Sequence, residues 1–138
     1  MGELKQISIF AENKPGKLER ITRVMADSGI NILAVSISSS GEFGVIKFIV
    51  DKPEEAFNNL KESGFTVSLN AVLAIELIDK PGDLNRVAVI LSRCGVNIEN
   101  ANVLVVGKRE TSYLIVELED VSEAKKKLAG QDLKFYDL

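Results

Sequence analysis

The stretch Asn13-Lys14-Pro15-Gly16-Lys17-Leu18-Glu19-Arg20 returns 66 positions later as Asp79-Lys80-Pro81-Gly82-Asp83-Leu84-Asn85-Arg86. Each copy is followed at the same distance by Gly29-Ile30-Asn31-Ile32 or Gly95-Val96-Asn97-Ile98, and the aligned segments share eight identities. Most mismatches exchange like for like, as in Ile21/Val87, Val24/Ile90 and Met25/Leu91. A repeat of this length means one supersecondary unit written twice. Domains at 1–70 and 71–138 follow. With 46% hydrophobic residues among 138, the chain can build a core, but each half is near the lower size limit for independent stability. The two halves are therefore expected to pair, so that at least one bare sheet face is covered.

Hydrophobic periodicity gives the same order of elements in both halves: strand, helix, strand, strand, helix, strand. In the first, residues 4–11 alternate around Ile7 and Ile9, and Pro15 suits the first turn of a helix. Leu18, Ile21, Val24 and Met25 mark that helix's inner face until Gly29 stops it. Strands at 30–39 and 43–50 flank a glycine turn. A helix opened by Pro53 carries Ala56, Phe57 and Leu60 inward and closes at Gly64, before a last strand at 65–69. The second half places strands at 71–78, 96–106, 112–118 and 133–136, with a turn at Gly107. Its helices carry Leu84, Val87, Ile90 and Leu91, then Val121, Ala124 and Leu128. Asp120 and Glu123 form a capping-box pattern, and Gly130 ends the last helix. Two βαββαβ plaits result, α+β, each an antiparallel sheet with both helices on one face.

The charge balance, 17 basic against 20 acidic residues, gives no electrostatic reason to bind nucleic acid or an anionic membrane. Lys125-Lys126-Lys127 sits where cations complement a helix C-terminus. A single cysteine, Cys94, excludes an intrachain disulfide, and with no signal peptide or membrane span in the sequence the expectation is a cytoplasmic protein. Catalysis finds no support. There is no histidine, no nucleophile with a candidate base, no metal-ligand cluster and no phosphate-binding glycine motif, while Glu76 and Glu117 fall in strands without a pairing pattern. No cofactor or metal is expected.

The Pro-Gly loops are the candidate sites. Gly16 and Gly82 lack a β-carbon, so a ligand can approach the backbone, and the helix beginning there offers N–H groups to a carboxylate. Asn13 or Asp79 is placed to accept hydrogen bonds from an ammonium group. Together these features describe a receptor for a free amino acid; capping and turn formation explain the same residues without a ligand. If both glycines have φ below zero, valine there would block its own site at little cost to the fold. A carboxylate binds an ammonium more strongly than an amide does, so the Asp79 loop is expected to bind more tightly.

Both loops, each followed after a helix by Gly-Ile/Val-Asn-Ile, resemble the signature of ACT domains, and the resemblance covers nearly the whole chain. It implies small βαββαβ modules that bind amino acids and regulate metabolic enzymes or transcription. In that family the effector sits at the interface of two paired units, touched by the first loop and the second strand. The implied residues are Asn13, Gly16, Lys17, Leu18, Asn31 and Ile32, with Asp79, Gly82, Asp83, Leu84, Asn97 and Ile98. A homodimer that acts on a separate metabolic enzyme or regulator is then expected. The alternative is a non-catalytic assembly subunit of an enzyme, without ligand.

Overall fold

The computed structural model describes residues 4–106 and 111–136, and the Gly107 turn lies outside them. The chain divides into two compact units, Lys5–Asn70 and Ala71–Leu138, with Leu4 grouped with the second.

In the first unit, β1 (Leu4–Glu12), α1 (Lys17–Asp27), β2 (Ile32–Ser40), β3 (Phe43–Val50) and α2 (Pro53–Glu62) lead into β4 (Thr66–Leu77). The strand order is β2-β3-β1-β4. On β1, Ile7 and Ile9 lie opposite Phe48 and Ile46 of β3, which sets those four side chains on one face. That face is closed by Ile21 and Met25 of α1 and by Ala56 and Leu60 of α2, all fully buried. Apart from the small Ala56, each such side chain contributes about 1.5–3 kcal/mol through the water it no longer meets. Val24 and Phe65 pack against the edge of this core, and Phe57 is only half-buried.

Where strands at 65–69 and 71–78 were expected, one strand of 12 residues runs through both, and β4 therefore serves each unit in turn. The second unit continues with α3 (Asp83–Arg93), β5 (Asn100–Val106), β6 (Thr111–Glu117) and α4 (Val121–Lys127), in the strand order β4-β6-β5. Its core joins Leu73, Ile75 and Leu77 to Leu114, Val116, Val87 and Leu91, with Val121, Ala124 and Leu128 beneath α4.

Helix ends explain the remaining differences. After α1, Gly29 takes φ 69°, and the Ile30 N–H returns to the Met25 carbonyl at 2.9 Å. After α3, Gly95 takes φ 71°, and the Val96 N–H returns to Leu91 at 2.9 Å. Ile30 and Val96 thereby close helices instead of opening strands. β2 starts at Ile32 and β5 only at Asn100. Asp120 caps α4 by accepting the Glu123 N–H at 3.0 Å, but the Glu123 side chain turns to Lys127, so the box is half made. That helix ends at Lys127, ahead of Gly130. The final strand reduces to a bridge between Phe135 and Ile75, supported by hydrogen bonds from Glu76 N–H to Lys134 and from Tyr136 N–H to Ala74.

Candidate functional site

Both Pro-Gly loops fold alike. The Lys14 N–H bonds the Glu12 carbonyl at 3.0 Å, and the Lys80 N–H bonds that of Ile78 at 2.8 Å. Gly16 and Gly82 then precede the helices with φ 90° and 89°, ψ −10° and −8°. Proline followed by glycine at those angles is the pattern of a type II turn. The prolines stand before the helices, not in their first turns, and the glycines are required by the left-handed backbone whether or not a ligand approaches. The condition φ below zero is not met, so valine at either position strains the loop. A β-carbon added at either glycine would meet nothing within 4 Å. Space therefore lies open in front of both loops, and neither helix has a side-chain cap.

The side chains at the two mouths differ. Asn13 points its amide into its own unit. Its Nδ2 donates to the Gly41 carbonyl at 3.3 Å and its N–H to that of Glu42 at 2.7 Å, tying the loop to the β2–β3 turn. Asp79 is exposed. Leu18 and Leu84, expected on the inner helix faces, are 40% and 52% exposed at equivalent positions. Lys17 is half-buried, whereas Asp83 is 2% exposed. The Asp83 carboxylate accepts the Ile78 N–H at 2.7 Å and Arg86 Nε at 2.8 Å. Those bonds, Arg86 first, hold it below the usual aspartate range against the opposing effect of burial. Arg86 Nη1 also donates to the Asp132 carbonyl at 2.7 Å.

Asn31 and Ile32 line a different groove from Gly16. It runs on the other flank of α1, beside Thr22, Arg23 and Ala26. The Asn31 N–H donates to Asp51 Oδ1 at 2.9 Å. Asn97 likewise lies apart from Gly82, in a groove of about 470 Å³ edged by Glu99, Glu119, Asp120 and Glu123. Ile98 is exposed. Within each unit the loop and the start of the second strand therefore do not share a pocket. Arg20 and Phe65, absent from the sequence-derived set, line the groove that contains Gly16. For Arg20 the sequence signal is its identity with Arg86 in the repeat; Phe65, outside the aligned segments, has none. Among the described residues there is no cluster of three metal-ligating side chains and no helix long and apolar enough to cross a membrane.

The family described as the ACT domain pair matches residues 2–137. A protein from Bacteroides thetaiotaomicron is similar in structure at TM-score 0.88 and 30% identity, over 97% of this chain and 92% of that one. The ligand-free regulatory subunit of aspartate kinase from Thermus thermophilus is similar at TM-score 0.64 and 19% identity, over 91% of each chain. That from Thermus flavus gives 0.59 and 15%, over 91% and 90%. At such identities the kinase subunits show the fold alone. No curated protein matches.

Proposed function

This chain belongs to the family of ACT domain pairs, and from that membership we propose that it is a non-catalytic regulatory protein of the cytoplasm that binds a free amino acid. One observation supports the reading most: the doubled turn, in which a left-handed glycine precedes an uncapped helix twice, with open space before it. A ligand carboxylate satisfies the N–H groups that no side chain caps. Each ACT-type half, 1–70 and 71–138, contributes one loop. Asn13, Gly16, Lys17 and Leu18 with Asn31 and Ile32, and Asp79, Gly82, Asp83 and Leu84 with Asn97 and Ile98, are the proposed contacts. The regulated partner is a separate metabolic enzyme or regulator.

The second reading, an assembly subunit without ligand, is favoured by the edge strands. β2 and β5 carry no charged residue, and Val35, Ile37, Val103 and Val105 are exposed on them. Uncharged edges favour pairing with another chain, which also supports a homodimer.

A thermal-shift screen against the twenty amino acids at millimolar concentration separates the readings. Ligand at about a hundred times its dissociation constant adds roughly 2.7 kcal/mol. That raises the melting temperature by about 5–10 °C for a cooperative unit of this size. No response to any amino acid would leave the assembly role.

A further inference from the structure

The two loops share a backbone and differ in charge. In the second unit Asp83 occupies the start of α3, where a ligand carboxylate would bind. It has already taken the Ile78 N–H and Arg86 Nε, while its own N–H donates to the Lys80 carbonyl at 3.3 Å. Arg86 is engaged on its far side as well, by Asp132. The groove of about 320 Å³ beside this loop sets Lys80 and Lys134 against Glu76 and Asp132, so an anion arriving there would still face the buried charge of Asp83 and an arginine without a free fork.

In the first unit every one of those terms changes. Position 17 is lysine, and Arg20, the counterpart of Arg86, pairs with no carboxylate among the described residues. Its guanidinium carbon lies 5.5 Å from the centre of the Phe65 ring. A guanidinium beside a ring still presents its planar edge to a carboxylate. Arg23 is held by Glu19 at 2.8 Å, so Arg20 is the available cation. Around it a groove of about 430 Å³ is lined by Gly16, Val24, Asp27, Ser63 and Phe65.

We propose that this groove is the carboxylate end of the amino-acid site, that Arg20 is its principal ligand-binding residue, and that the buried charge of Asp83 keeps a carboxylate away from the second loop. The assignment rests on the amino-acid reading above, narrows its contacts to those of the first loop, and reverses the order of affinity that Asp79 suggests. One amino acid binds per chain. Its carboxylate takes the Arg20 fork, its ammonium faces the acidic lining formed by Glu19 and Asp27, and its side chain lies on Phe65 and Val24. The groove therefore fits an apolar or aromatic amino acid and opposes an acidic one, whose second carboxylate would meet Glu19 and Asp27.

Calorimetry of the full chain with L-phenylalanine, L-leucine and L-glutamate, together with its amide NMR spectrum, tests this. The expected result is one phenylalanine or leucine per chain, no glutamate, shifts at Gly16, Lys17 and Phe65, and none at Gly82 or Asp83. Arg20→Met should weaken binding by roughly tenfold or more, the usual scale for losing hydrogen bonds to a charged group. Arg20→Lys keeps the charge, and should lose a large part of the affinity because the fork is gone. Two ligands per chain, shifts at Gly82 and Asp83, glutamate binding in the groove, or undiminished binding by a folded Arg20→Met would overturn the assignment and leave amino-acid binding intact. If none of the twenty amino acids binds the wild-type chain, both fall.

Discussion

Arg86 Nε lies 2.8 Å from Asp83 Oδ1, one helical turn away, and the carboxylate it holds is buried at the start of α3. The same oxygen pair receives the Ile78 N–H, so one side chain fastens the end of β4, the loop and the helix to one another. The first unit has no such fastening, because lysine stands at position 17.

The acid limb of stability should report this tie. Asp83 has a folded-state pKa held below its unfolded value, so its contribution is complete above about pH 4 and disappears as pH falls through the depressed value. Asp83→Asn should cost about 2 kcal/mol at pH 7, taken from the scale for hydrogen bonds to charged groups and reduced because Arg86 is partly solvated. The gap between variant and wild type should close below pH 4. Urea midpoints measured at several pH values check this, and a gap that stays constant with pH would refute the charge-based account.

Substitution of the turn glycines should harm the fold alike in both units. At φ near 90° an added β-carbon costs about 1–2 kcal/mol through backbone strain alone, since neither site has a neighbouring atom to clash with. Gly16→Ala and Gly82→Ala should therefore shift the denaturation midpoint by similar amounts. A negligible effect at one of them would show that its loop adopts another conformation.

Asn13 should prove to be a loop tie. Its amide bonds the Gly41 carbonyl in an exposed contact, so Asn13→Ala should cost about 0.5 kcal/mol of stability. The amide signals of residues 41–43 should move in the variant's NMR spectrum. Lost ligand affinity without those changes would return Asn13 to direct ligand contact.

The uncharged β2 edge yields a test of assembly. Ile37, 57% exposed, becomes a charged gatekeeper in Ile37→Lys. Light scattering should give the mass of two chains for wild type and of one for the variant. An unchanged mass would remove β2 from the interface.

The fold was legible because a repeat states the same plan twice. Glycines at 29, 64 and 95 end helices in both halves with positive φ, which fixes where each strand can follow. Ile30 and Val96, expected to open the second strand of each half, lie ahead of β2 and β5 for a physical reason. Ile30 and Val96 are strand-like in type, yet their N–H groups close the preceding helix, and nothing in their hydrophobicity reveals that. Leu18 and Leu84 fit the helical period of the inner face but stand at its first turn, beyond the reach of the core. The Asp83–Arg86 tie was present in the sequence as an acid three residues before a base at a helix start. What spacing alone does not carry is burial, and burial separates Arg86, which is committed, from Arg20, which is available.

The two uncharged edges also govern how large an assembly can grow. A twofold axis joins identical edges, so copies paired through β2 leave every β5 unspent. If β5 paired as readily, a second axis would repeat along a row and produce a filament. A finite dimer would therefore require one of the two edges to pair and the other to stay unpaired. Whichever edge stays unpaired would then decide whether copies stop at two or continue in a row.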